Sequence, residues 1–274
     1  MKRLHHLLWI ALLVLFVGCA ALQELIQKPS LKYEKMTAKD VSLFQSTLLF
    51  HFTLTNPNPI GAKIRNIVYN IKFNDKEFAK GNLDKGVYLA ARGSSDLELP
   101  VTVTYLDLFG TVADFLTSDQ VRYDLSGSVG IGPFDLPYHT EGEIPIPKLP
   151  KISLQDVRIS KLSLTGATMK VSLGLENNNA FAVNIDQIQY RIKLAGIPFA
   201  EGIAETISNL NENGHSALEI PLTISFVKMG QSTYNLLTKS ASDYELSGDM
   251  IFQIPGIGEK KFEFKKTGKI KLRK

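Results

Sequence analysis

The stretch Leu48-Leu49-Phe50-His51-Phe52-Thr53-Leu54-Thr55-Asn56-Pro57-Asn58-Pro59 decides how this chain folds. Leu48, Phe50, Phe52 and Leu54 fall on one side of an extended backbone, and Leu49, His51 and Thr53 on the other. Alternation with period two and one apolar side marks a strand buried on one face. Proline has no N–H to give to a ladder, and asparagine side chains bond nearby backbone and tolerate left-handed geometry. Asn56, Pro57 and Asn58 therefore end the strand and shape a structural turn. A second alternation follows, with Ile67, Tyr69, Ile71 and Phe73 on one side and Asn70 and Lys72 on the other.

Displacing the sequence against itself from Asn56 to Asn177 repeats this pattern without a gap from Ser42 to Gly127. Asn58 falls on Asn179, and Ile64, Ile67, Tyr69 and Ile71 fall on Ile185, Ile188, Tyr190 and Ile192. Met169, Val171, Leu173 and Leu175 repeat the first strand. Leu97, Leu99, Val101 and Val103 form a third strand, mirrored by Leu218, Ile220, Leu222 and Ile224. A fourth begins near Val121 and Tyr244. One stretch per copy changes period: Tyr105 to Asp119, and its partner from about Phe226 to Ser240, carry apolar residues at helical spacing and predict one short helix each. The fold class is thus all-β, two tandem antiparallel β-sandwiches of fibronectin III or immunoglobulin-like type, each with a short helix. The copies occupy residues 31–148 and 152–274, joined by 149–151 within a proline-alternating spacer, Ile144-Pro145-Ile146-Pro147-Lys148-Leu149-Pro150. Alternating prolines stiffen such a segment.

Composition is that of a folded globular chain: 274 residues, 44% hydrophobic and 21% charged. The formal charge of +4 includes Lys2 and Arg3; without them 29 basic residues face 27 acidic ones. That balance is too weak for a nucleic-acid partner. A single cysteine excludes an intrachain disulfide and a cysteine-rich metal site. His51 lies on the polar side of its strand and matches Ser172, while His215 follows the Asn211-Glu212-Asn213-Gly214 turn and matches Ser94. No histidine recurs with a serine or carboxylate partner, so neither a catalytic group nor a metal or other cofactor is expected. Gly127-Ser128-Val129-Gly130-Ile131-Gly132 follows a strand and lacks a phosphate-loop lysine, which predicts a bulge or hairpin turn.

The chain opens with Met1-Lys2-Arg3, an apolar run from Leu7 to Val17, and Gly18-Cys19-Ala20. A cationic end, a short apolar run and small residues make a secretory signal, too short to span a bilayer comfortably. Leu15-Phe16-Val17-Gly18-Cys19 resembles a bacterial lipoprotein signal, although Phe16 stands where that pattern prefers leucine. The resemblance implies removal of residues 1–18 and acylation of Cys19. Ala20 resembles the residue that sorts such proteins to the outer membrane, which implies a bacterial envelope protein facing the periplasm. Residues 19–30 would then form a tether, reaching at most about 40 Å from Ala20 to Leu31.

Thr55-Asn56-Pro57-Asn58-Pro59 between two alternating strands resembles the signature of the WHy (water stress and hypersensitive response) domain of the late embryogenesis abundant type 2 family. The second copy reads Asn177-Asn178-Asn179-Ala180, keeping both asparagines and losing both prolines. The resemblance implies a fibronectin-like sandwich, a link to desiccation tolerance and no known reaction.

The last fifteen residues, Lys260 to Lys274, hold eight cations against Glu263. Phe262, Phe264, Ile270 and Leu272 alternate with charges, which predicts a last strand with one wet face. Lysines there either protect an exposed sheet edge or, as Lys265, Lys266, Lys269, Lys271, Arg273 and Lys274, meet an anionic membrane surface. The expected function is a non-enzymatic, lipid-anchored module that protects client proteins or membrane under water stress. The alternative is a periplasmic carrier holding a lipid or other apolar ligand between its sheets.

Overall fold

The computed structural model describes residues 26–84 and 86–274, so the signal segment and Cys19 lie outside the described residues. The chain divides into two compact units. The first takes in the chain up to Asp40 and Gln45–Ile146, the second Val41–Phe44 and Pro147–Lys274.

In the first unit β1 (Ser30–Lys39), β2 (Gln45–Thr55) and β6 (Ser94–Thr104) form a three-stranded sheet in the order β1-β2-β6. Facing it is the order β4-β3-β7-β8, built from β3 (Ala62–Phe73), β4 (Lys76–Leu83), β7 (Gln120–Ile131) and β8 (Phe134–Pro145). The two-residue β5 (Tyr88–Leu89) adds to the start of β3. Every pairing is antiparallel. The alternation read from sequence is the burial pattern: Leu48, Phe50, Phe52 and Leu54 are buried, and so are Ile67, Ile71 and Phe73 opposite them. Aromatic rings bridge the two sheets, with Phe50 5.3 Å from Tyr123 and Phe52 4.9 Å from Tyr138 between centroids.

The second unit repeats the plan. β9 (Lys151–Leu162), β10 (Gly166–Glu176) and β13 (His215–Ser225) form one layer. β11 (Val183–Leu194), β12 (Ile197–Leu210), β14 (Ala241–Ile254) and β15 (Gly258–Arg273) form the other. A short parallel contact of Leu272 and Arg273 with Val157 and Arg158 joins the layers, giving the order β12-β11-β14-β15-β9-β10-β13. Only the end of the cation-rich last strand, Leu272 and Arg273, gains a second neighbour; from Gly258 to Lys271 it is paired on one side alone. It pairs with β14 from Ala241 to Ile254 and is joined to β9 on its other side.

The helical stretches are present in both units, each divided at a glycine. In the first, a 3₁₀ turn (Tyr105–Leu108) is separated from α1 (Val112–Thr117) by Phe109, Gly110 and Thr111. The Thr111 hydroxyl caps α1 by accepting from the Asp114 N–H at 3.1 Å. In the second, α2 (Phe226–Met229) and α3 (Gln231–Thr238) meet at Gly230, whose φ of 84° ends one helix and redirects the chain into the next. Apolar spacing alone does not register such a break.

The glycine-rich segment serves β-structure. Gly132 opens the two-residue connection from β7 to β8 at φ 52°, and the pairing of β3 with β7 shifts register between Ile64 and Asn66. The connections after β3 and β11 are also two residues long. Asn74 and Asp75 have φ of 47° and 65°, and Ala195 and Gly196 have 48° and 78°. Positive φ at both positions is the type I′ turn that suits the twist of a hairpin. Asn74 suits its place, and its side chain also accepts the Arg122 N–H at 3.2 Å. Ala195 does not, because a Cβ in the left-handed region costs about 1–2 kcal/mol. Ala195→Asn is expected to stabilise the second unit by about 1 kcal/mol, read as a higher urea midpoint at unchanged m-value.

Candidate functional site

The signature asparagines sit at the end of each sandwich where the chain enters its first strand. Asn56 and Asn58 are 1% and 5% exposed, and Asn177 and Asn179 are 0% and 7% exposed. A buried amide needs partners for two donors and for oxygen lone pairs. Asn56 Nδ2 donates to the carbonyls of Ile60 (2.8 Å) and Ala90 (3.0 Å), while its Oδ1 accepts the backbone N–H (3.0 Å) and side-chain amide (2.9 Å) of Asn58. Asn58 then reaches back to the incoming chain. Its Oδ1 accepts the Gln27 N–H at 2.7 Å and its Nδ2 donates to the Gln27 carbonyl at 2.8 Å. One side chain thereby imitates a rung of antiparallel sheet.

The second unit holds the same network. Asn177 Nδ2 meets the carbonyls of Phe181 (2.7 Å), Leu210 (3.1 Å) and Asn211 (3.0 Å), and its Oδ1 accepts from the N–H and amide of Asn179. Asn179 grips Lys148 with two bonds of 2.8 Å. Pro57 and Pro59 are exposed and outside the network, as are Asn178 and Ala180 in the second unit. Loss of the prolines therefore leaves the clamp intact. The grip fixes the chain at Gln27, eight residues after Cys19 in the sequence.

The structure also assembles a group that the sequence does not announce. Across β1, β2 and β6, His51 Nε2 lies 2.7 Å from the Thr37 hydroxyl and its Nδ1 3.3 Å from a Glu98 carboxylate oxygen. Hydroxyl, imidazole and carboxylate stand in the order of a catalytic relay. They stand on the outer face of a sheet, however, where neighbouring backbone N–H groups belong to the ladder and are not free to hold an oxyanion. None of the four cavities described touches them. The contact fits a cross-strand polar row. Among the described residues no group of three or more histidine, cysteine or acidic side chains is placed to hold a metal ion.

Of the six C-terminal cations, Lys265, Lys269, Lys271 and Arg273 share one exposed face of β15 by parity, and Lys266 and Lys274 fall off it. Lys265 bonds Glu245 at 2.8 Å, Arg273 bonds Asp156 at 3.3 Å, and Lys274 donates to the Thr238 carbonyl at 3.0 Å. Lys266 pairs in register with Leu246, on the opposite side of β15 from Lys265. Lys269 and Lys271 are exposed and make no salt bridge among the described residues. The four cavities open on the second unit; that of about 570 Å³, beside Lys193, Tyr244, Glu245 and Lys269, runs along the polar side of β14 and β15.

Two expectations follow from these contacts. Asn177→Ala strips partners from three carbonyls and a buried N–H, and should destabilise the second unit by about 3 kcal/mol in urea unfolding, against under ~0.5 kcal/mol for exposed Asn178→Ala. Glu245, held between Lys265 (2.8 Å) and Lys193 (2.9 Å), has its carboxyl pulled down to about 2 by hydrogen bonds to the two ammonium groups. A lowered folded-state value stabilises above the ordinary range near 4.5 and is lost as pH falls through about 2. The thermal midpoint of Glu245→Gln should therefore lie below wild type at pH 7, with the gap closing between pH 4.5 and 2.

Comparison with known proteins places these features. The chain is 28% identical over 127 residues to "Probable desiccation-related protein LEA14" of Arabidopsis thaliana, covering 44% of this chain and 84% of the relative. It is 24% identical over 123 residues to "Desiccation-related protein At2g46140" of the same plant, covering 45% and 74%. A solution structure of the Arabidopsis thaliana protein AT1g01470 matches with 28% identity and a TM-score of 0.36, over 45% of this chain and 85% of that one. The profile described as "Late embryogenesis abundant protein" matches twice, at residues 51–142 and 172–268, once in each unit. With more than half of its length so matched, the chain belongs to the late embryogenesis abundant protein family, in the branch labelled LEA_2.

Proposed function

We propose that this protein is a non-enzymatic, membrane-anchored stress-protection module of the bacterial envelope, its two WHy-type sandwiches held near the membrane by acylated Cys19. The observation that carries the reading is the double family match, joined to relatives whose names describe desiccation-related proteins. The asparagine clamps support it in physical terms: every polar group they bury is spent internally, which suits a stable folded body better than a reactive centre. Two or more acyl chains on Cys19 make attachment effectively permanent, where one gives only marginal binding. The clamp on Gln27 then keeps the first sandwich within about 28 Å of the anchor, facing the periplasm from the outer membrane. Client proteins or lipid surfaces exposed by water loss are the partners of this reading.

The test is survival after drying and osmotic shock in a deletion strain complemented with the wild-type chain or with Cys19→Ala. Wild-type complementation is expected to restore survival, and Cys19→Ala to restore little of it while leaving the membrane fraction. Unchanged survival in the deletion strain overturns the protective role. Full rescue by a Cys19→Ala chain that has left the membrane overturns the need for anchoring.

A further inference from the structure

The clamp that holds Gln27 also gathers apolar side chains that the fold leaves uncovered. Ile26 precedes the clamped residue and is 37% exposed; Ile60, just after the Asn-Pro-Asn-Pro corner, is 57% exposed, and Tyr88 is 66% exposed. Tyr88 lies against Gly61, where any Cβ would collide with its ring and hydroxyl, and β5 ties it beside Lys63. Pro57 and Pro59 are exposed in the same corner. Lys28, Lys63 and Arg92 stand exposed around it, the Arg92 N–H bonding the Asn58 carbonyl at 2.8 Å, with Asp84 the exposed acid in the connection leading to Tyr88. An aromatic ring, aliphatic tips and a cationic rim make the composition that settles at a bilayer interface.

The duplication supplies a control within the same chain. At matched places the second unit has Pro147 for Ile26, Asn178 for Pro57, Ala180 for Pro59, Phe181 for Ile60 and Asn209 for Tyr88. Pro147 is buried and Phe181 half-buried, so the corner of the second unit keeps its hydrogen bonds and loses its exposed apolar tips. Internal stability therefore does not require those tips. What distinguishes the first corner is its place in the chain: Ile26 follows Cys19 by seven residues, after the apolar run Leu7 to Val17.

We infer that the corner formed by Ile26, Pro57, Pro59, Ile60 and Tyr88 is a membrane-docking surface that seats the first sandwich on an anionic lipid bilayer. It rests on the anchored reading above and adds a contact to it: the sandwich sits on the lipid instead of swinging on its tether. Apolar tips enter the headgroup region, and Lys28, Lys63 and Arg92 meet lipid phosphates.

The processed chain, acylated at Cys19 and free of tryptophan because Trp9, its single tryptophan, leaves with residues 1–18, is reconstituted on vesicles of acyl-brominated phosphatidylcholine and phosphatidylglycerol. Tyr88→Trp and, separately, Ile60→Trp report on the corner; Ala180→Trp reports on the matched corner of the second unit. Both first-corner probes are expected to shift to the blue and to be quenched by bromine at least about twofold more than Ala180→Trp. Adding Ile60→Asp to Tyr88→Trp should abolish that difference while near-ultraviolet circular dichroism stays native. Protein that floats with the vesicles but shows water-exposed probes in the first corner, quenched no more than Ala180→Trp, overturns the docking surface and leaves the anchor standing. Protein that does not float overturns both.

Discussion

A carboxamide closes the end of each sandwich, and the arrangement of the surrounding strands depends on it. Three pieces of backbone meet there: the chain entering the first strand, the corner between the second and third, and the approach to the strand paired beside them. Their carbonyls and N–H groups are turned inward, out of reach of a regular ladder. A buried group of that kind costs about 1–3 kcal/mol when left without a partner. Asparagine is short enough for such a corner and offers two donors and two acceptor lone pairs at once. Asn56 and Asn177 use all of them, and Asn58 and Asn179 extend the network to the incoming chain. Serine offers a single donor and aspartate none, so neither can replace these amides bond for bond.

What was legible in the sequence was whatever depends on near neighbours. Alternation placed the cores of the principal strands, because a side chain's face is set by its parity along an extended chain. Asn56 and Asn177 were legible as turn residues on the same ground. The partners of Asn58 and Asn179 were not, since Gln27 and Lys148 lie 31 residues away and meet them only after the sandwich closes. The Thr37–His51–Glu98 row was hidden for a related reason. It depends on the registers of β1 and β6 against β2, and the matched position Ser172 offers no hint of it. The contact of β15 with β9 rests on two residues of parallel pairing at its very end, too short a feature to leave a pattern. A signal for the clamp did exist: the asparagines recur while the prolines between them do not, which separates the residues that bond from those that only punctuate.

That separation also bears on how a duplicated module divides its tasks. Two copies folding the same way must satisfy the same buried polar groups, so the four asparagines are held in place by the interior. Nothing in the interior constrains the exposed positions beside them. Pro57, Pro59, Ile60 and Tyr88 stand in the copy next to the N-terminal apolar segment, and Asn178, Ala180, Phe181 and Asn209 stand in the other. Surface composition can follow surroundings while the hydrogen-bonded frame stays constant. Exposed aliphatic and aromatic tips have a cost in water, and a soluble surface normally scatters them singly. At the first corner Ile60 and Tyr88 stand exposed beside the clamp on Gln27, and the second copy, which keeps the clamp without them, shows that the sandwich does not need them in order to fold.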